Sequence, residues 1–149
     1  MLRVLVVDDE IATCSLVARV LNHFGYTARF TDDGESAVQI IKAFAPHLII
    51  TDLSMPRMDG MALLHISKDG FPRVPVLGMT DGTTTREEIE RLGFDGCILK
   101  PPTIAELLGE IETAWGKTCQ AIRGVDDVDD TSLPEIKREH HAKLAKNAA

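Results

Sequence analysis

Leu2-Arg3-Val4-Leu5-Val6-Val7-Asp8-Asp9 and His47-Leu48-Ile49-Ile50-Thr51-Asp52 decide the fold of this 149-residue chain. Each is a strand-length aliphatic run that ends abruptly in acid. The apolar residues follow one another instead of alternating with polar ones, the pattern of a central parallel strand covered by helices on both faces. Carboxylates at the exits of two such strands share one small site. Three negative charges held together repel one another and favour a cation.

Outward from these runs, residues 26–30, 74–79 and 97–99 read as three further strands, with 2–7 and 47–51 making five. Cys14, Val17, Ala18 and Leu21 recur at helical spacing before the stop at Gly25. Residues 34–44 form a second helix ahead of Pro46, and 61 to about 68 a third, closed by Gly70. Thr84-Thr85-Arg86-Glu87-Glu88 offers overlapping capping boxes for a fourth, which ends at Gly93; Thr103-Ile104-Ala105-Glu106 offers another for a fifth. Strict β/α alternation with short connections means an open parallel sheet. The expected fold is therefore α/β, a flavodoxin-like (βα)5 three-layer sandwich of strand order 2-1-3-4-5 with a C-terminal extension. In that order the first and third strands are neighbours at the switch point, where ligands bind outside the carboxyl ends. Asp8, Asp9 and Asp52 lie there; Thr80 follows the fourth strand and Lys100 the fifth, on the same rim.

The fifth helix keeps one apolar face through Ile104, Leu107, Leu108, Ile111, Trp115, Cys119 and Ile122 until Gly124. Roughly 20 helical residues span about 30 Å, more than a strand of about 17–20 Å. The last turns are expected to overhang the sheet and to pack against another surface. Asp126-Asp127-Val128-Asp129-Asp130 then reads as an acidic linker, and Ser132-Leu133-Pro134-Glu135 as the start of a short helical tail. The expected division is residues 1–123 as the domain and 124–149 as linker and tail. Helix five or the tail offers a homodimer contact.

A net charge of −7 argues against a dedicated nucleic-acid surface, so no direct DNA binding is expected. No apolar run reaches a membrane span, and acids interrupt the first run where a signal peptide would continue. Cys14, Cys97 and Cys119 are odd in number and lack C-x-x-C spacing, the signature of reduced thiols. A cytoplasmic protein is expected. His140-His141 has no second ligand pair, and His23, His47 and His65 have no partner pattern, so none is assigned a site.

An all-oxygen carboxylate site suits Mg²⁺, which keeps waters and takes its remaining ligands from phosphate; Mn²⁺ fits the same ligands. Lys100 adds a point charge and Thr80 a hydroxyl donor, the parts of an electrostatic clamp for phosphoryl transfer. Asp52 is placed as nucleophile, across from the Asp8–Asp9 pair.

Val6-Val7-Asp8-Asp9-Glu10, Asp52-Leu53-Ser54-Met55-Pro56-Arg57-Met58-Asp59-Gly60, Met79-Thr80 and Leu99-Lys100-Pro101, in this order and spacing, resemble the receiver (CheY-like) domain of two-component response regulators. The resemblance covers residues 1 to about 119. It implies that Asp52 accepts a phosphoryl group from a sensor histidine kinase or histidine phosphotransfer protein. It also implies that Asp9, Asp52 and the Ser54 carbonyl hold Mg²⁺ directly, with Asp8 acting through water. Thr80 and Lys100 would grip the phosphoryl oxygens, the Lys100–Pro101 bond would be cis, and a downstream protein would read the change. The implied protein is a stand-alone receiver, a phospho-accepting signalling protein that takes part in its own phosphorylation and dephosphorylation.

Three positions depart from the family pattern. Cys97 stands where an aromatic switch residue is usual, Asp81 where a small residue follows the threonine, and Pro102 where an aromatic is common. Thr80, Asp81 and Cys97 are therefore the expected switch region. Asp81 and Cys97 also suit a phosphorylation-independent adaptor. An aspartyl-phosphate phosphohydrolase is the enzymatic alternative, against which stand adjacent aspartates in place of D-x-D and no evident cap domain.

Overall fold

A strand that is apolar at every position needs cover on both faces, and the computed structural model, which describes residues 1–53, 55 and 59–123, supplies it. The chain runs β1 (Arg3–Val7), α1 (Ile11–His23), β2 (Thr27–Thr31), α2 (Gly34–Phe44), β3 (Leu48–Asp52), α3 (Gly60–Gly70), β4 (Val76–Thr80), α4 (Arg86–Arg91), β5 (Gly96–Leu99) and α5 (Ile104–Arg123). All strands are parallel, in the order β2-β1-β3-β4-β5. This is the expected flavodoxin-like sandwich.

Alternate strand residues divide the core into two layers. Val4, Val6, Ile50, Leu77, Met79 and Ile98 pack with α1 and α5. Leu5, Val7, Ile49, Val76 and Cys97 face α2, α3 and α4. The central strands β1, β3 and β4 are buried almost throughout, whereas β2 carries the exposed edge. Full burial of each Leu or Ile contributes about 1.5–3 kcal/mol.

The helix starts follow local chemistry. Asp33 accepts from the Glu35 amide at 3.1 Å, and Asp59 from the Ala62 amide at 2.9 Å. Thr85 and Glu88 form a reciprocal capping box, one of the two expected there. At α5 only half of the expected box exists. The Glu106 amide donates to Thr103 Oγ1 at 3.1 Å, but the Glu106 carboxylate turns away and accepts the Leu99 amide at 3.2 Å. That amide lies on the outer strand β5 and offers a competing donor, so a tertiary bond replaces the local one.

α5 is buried through Leu107, Leu108, Ile111 and Ala114, with Trp115 partly buried against the same layer. Beyond that, Cys119 and Ile122 are only half-buried, as expected of an overhang. Ser54, the 124–149 linker and tail, and any homodimer contact through the tail lie outside the described residues.

Candidate functional site

The register fixes which side chains meet. Val7 is level with Thr51, so Asp8 and Asp52 leave their strands side by side, and Asp52 is level with Met79 on β4. Thr80 pairs with Leu99, and the Lys100 amide donates to the Thr80 carbonyl at 2.8 Å, tying the exit of β5 to that of β4. The Lys100–Pro101 bond is cis. Ligand oxygens of Asp8, Asp9 and Asp52 all lie within 4.8 Å of one another.

Each member of this group has its own surroundings. Asp8 is fully buried, Asp52 partly buried and Asp9 exposed. Asp8 Oδ1 accepts the Glu10 amide at 3.0 Å, so this residue does serve the start of α1, where Glu10 itself makes no side-chain cap. Its Oδ2 is buried against the Lys100 ammonium, 2.7 Å away, the distance of a charge-assisted hydrogen bond. Lys100 is also 3.2 Å from Asp52 Oδ2. Burial alone pushes the Lys100 pKa down; its contacts with Asp8 and Asp52 outweigh that and leave it raised.

One ammonium faces three carboxylates, leaving a local excess of two negative charges. The excess and the all-oxygen donor set fit a hard divalent cation.

Thr80 is buried, and its hydroxyl oxygen accepts the Gly82 amide at 3.1 Å. That bond uses an acceptor lone pair and leaves the O–H free to donate. Asp81 is exposed and closes a turn: its Oδ1 accepts the Thr83 amide at 3.0 Å and the Thr83 hydroxyl at 2.7 Å. Those two bonds from Thr83 hold the Asp81 carboxyl below its ordinary pKa. The acid is thus bound into its own loop. Cys97 is buried in the layer that holds Ile89, Phe94 and Leu53, and burial pushes its thiol pKa up. It is a small packed side chain on β5. Pro102 is half-buried beside α1, in an apolar groove shared with Leu16, Val17, Pro101 and Ile104.

Two features of the site go beyond the residue types read from the sequence. One is the Lys100–Asp8 pair, for which the rim placement of an acid and a base was the available signal. The other is Gly60, which is a point of backbone contact. A Cβ there would stand 2.5 Å from the Asp52 carbonyl oxygen. His47 is structural: its Nδ1 accepts the Arg3 amide at 2.9 Å and its ring packs edge-on to Trp115.

A family model described as the response regulator receiver domain matches residues 4–112. The response regulator MprA of Mycobacterium ulcerans is 30% identical over 144 residues, covering 92% of this chain and 62% of that protein. The transcriptional regulatory protein ZraR of Escherichia coli O157:H7 is 31% identical over 148 residues, covering 98% of this chain and 32% of its own length. The chain therefore spans less than two thirds of either relative. Among solved structures, the receiver domain of NtrX from Brucella abortus superposes with a TM-score of 0.69 at 33% identity, covering 76% of this chain and 98% of that one. The Vibrio cholerae chemotaxis protein CheY4 gives 0.70 at 27% identity, with coverages of 76% and 98%. Among the described residues, no helix is long and apolar enough to cross a membrane.

Proposed function

Because the chain belongs to the response regulator receiver domain family, a two-component signalling family, we propose that Asp52 is its phosphoryl acceptor and that a phosphohistidine on a kinase or phosphotransfer protein is the donor. The observation that carries this reading is the convergence of Asp8, Asp9, Asp52 and Lys100 at the β1/β3 switch point. An Asp52 carboxylate oxygen attacks phosphorus, the P–N bond of the donor breaks, the imidazole departs with its proton, and an acyl phosphate remains. Lys100, already 3.2 Å from the nucleophile, holds a phosphoryl oxygen, and the Thr80 hydroxyl donates to another. Asp9 and Asp52, with the Ser54 carbonyl, would hold Mg²⁺ directly and Asp8 would act through water; the ion would supply charge neutralisation on the phosphoryl oxygens. Mn²⁺ suits the same donors.

The added charge of about −1.5 to −2 then biases the domain between two pre-existing populations. Thr80 is the group that feels the phosphoryl, and Asp81 and Cys97 complete the proposed switch region. α4 is the element most easily displaced, because it is six residues long and anchors only Ile89. A downstream protein reads that difference. The thiol of Cys97 cannot swing as an aromatic ring does, so the relay here runs through backbone and packing around α4. Replacing Cys97 by Tyr is expected to change the phosphorylation-dependent shifts of α4 amides in NMR spectra. Identical shift patterns in variant and wild type would remove Cys97 from the switch.

Incubation with acetyl phosphate or beryllofluoride plus Mg²⁺ tests the central claim. A stable adduct is expected in the wild type and none in Asp52→Ala, with a conformational change in the former. Turnover of small phosphate esters would instead favour the phosphohydrolase. No adduct would favour a phosphorylation-independent adaptor, the reading that Asp81 and Cys97 otherwise permit.

A further inference from the structure

The six-residue helix α4 begins with a cation, Arg86. Arginine at a helix N-terminus opposes the helix dipole, so α4 itself gains nothing from the charge there. The side chain reaches out of the helix instead. Its Nη2 donates to Oε1 of Glu110 on α5, and its Nη1 to Oε2 of the same carboxylate at 3.5 Å. Nη1 also stands 3.5 Å from Glu90 Oε1, one turn along α4. Among the described residues, Arg86 is the one α4 side chain that pairs with a polar group on another element.

The carboxylate that receives it is built in. Glu110 is mostly buried, whereas the guanidinium is exposed. A Cβ at Gly96, the first residue of β5, would stand 2.9 Å from Glu110 Oε2, so the carboxylate lies close against the strand. One turn earlier on α5, Glu106 accepts the Leu99 amide at 3.2 Å. α5 thus holds β5 with one glutamate and α4 with the next. The charges of Arg86, Glu110 and Glu90 bear on the Cys97 thiol, so the cluster lies beside that residue.

Arg86 is also the end of α4 that the connection from Thr80 reaches. Thr80 Oγ1 accepts the Gly82 amide at 3.1 Å, Asp81 closes onto Thr83, and Thr85 caps the helix. When the Thr80 side chain turns toward a phosphoryl group on Asp52, the Gly82 amide must follow it or lose its acceptor. Either movement displaces the connection that ends in Arg86.

Taking Asp52 as the phosphoryl acceptor, we propose that the Arg86–Glu110 ion pair is a latch that holds α4 to α5 in the unphosphorylated domain, and that phosphorylation opens it by displacing residues 81–85. With the latch open, Ile89 is the buried anchor left to α4. The pair opposes the phosphorylated conformation, and by linkage its removal makes that conformation easier to reach.

Beryllofluoride titrations with Mg²⁺ on the full chain, read by NMR shifts of the α4 amides, test this. Arg86→Gln and Glu110→Gln should each bind beryllofluoride about threefold more tightly than wild type, the scale of a partly exposed ion pair. Without beryllofluoride, their α4 amides should already be shifted toward the positions seen in saturated wild type. The double variant R86Q/E110Q should gain no more than either single one. Unchanged or weaker binding in either single variant overturns the latch; a substitution that merely loosened the fold would give the weaker binding. Additive gains in the double variant also overturn it, because the two residues would then act separately. Wild type that takes no beryllofluoride overturns the Asp52 reading and the latch with it. Wild type that takes it, with unchanged variants, overturns the latch alone.

Discussion

Gly60→Ala is expected to lower the stability of the domain by about 3 kcal/mol and to weaken Asp52-dependent adduct formation. The added Cβ would sit 2.5 Å from the Asp52 carbonyl oxygen, 3.0 Å from Leu53 Cα and 3.3 Å from the Asp52 carbonyl carbon. All three atoms are backbone, so no flexible side chain can move aside. The Gly60 amide also donates to the Leu53 carbonyl at 3.1 Å, which pins the start of α3 to the exit of β3. Relief requires the helix to back away, carrying its Asp59 cap with it, or the nucleophile's own peptide to rotate. Either movement displaces Asp52. Gly70→Ala is the matched control, because a Cβ there meets nothing within 4 Å and replaces glycine at the last residue of the same helix. It should be neutral or stabilise by up to about 1 kcal/mol. Urea midpoints for both variants check the pair. Equal midpoints for Gly60→Ala and wild type would mean that the close approach carries no free energy.

The strand order and the rim of the sheet were readable because they rest on local rules. Consecutive aliphatic residues in 2–7 and 47–51 mark doubly covered strands, and strict alternation with helices leaves few topologies. The first residue past each strand then has to stand on the carboxyl rim, which placed Asp8, Asp52 and Lys100 together. What could not be read depends on competition between distant groups. Glu106 has the spacing of a capping box, yet its carboxylate is better used by the Leu99 amide across the chain. Asp8 divides its two oxygens between the start of α1 and a buried position facing Lys100, which no spacing reveals. Gly60 follows an aspartate as many turn glycines do, and only the packed backbone shows that the missing Cβ matters more than the turn. Asp81 carries a charge whose direction is set by Thr83, two residues on.

Lys100→Met is expected to cost about 3 kcal/mol in the metal-free protein at neutral pH. Methionine keeps the length and apolar bulk of the stem while removing the charge. Asp8 is fully buried and its Oδ2 is paired with the ammonium at 2.7 Å, so without Lys100 it faces Asp52 and Asp9 uncompensated. Water reaches the lysine side only in part, since its side chain is 21% exposed, and screening therefore does little to soften the loss. The pH dependence has a definite sign. Folding raises the Lys100 pKa above its ordinary 10.5, the carboxylates of Asp8 and Asp52 overcoming the effect of burial. A base with a raised folded pKa stabilises fully below its unfolded pKa and loses that contribution as pH rises through the folded one. The stability gap between wild type and variant should thus stay level from pH 7 to about 10 and narrow above it. Divalent ions should act in the opposite direction at neutral pH. The variant presents three carboxylates and no competing ammonium, so Mg²⁺ should bind it more tightly than wild type and recover part of the lost stability. Calorimetric titration with Mg²⁺ alongside urea unfolding separates these effects. A variant as stable as wild type without metal, or one with weaker Mg²⁺ affinity, would show that Lys100 is not the cation that offsets the acids at this rim.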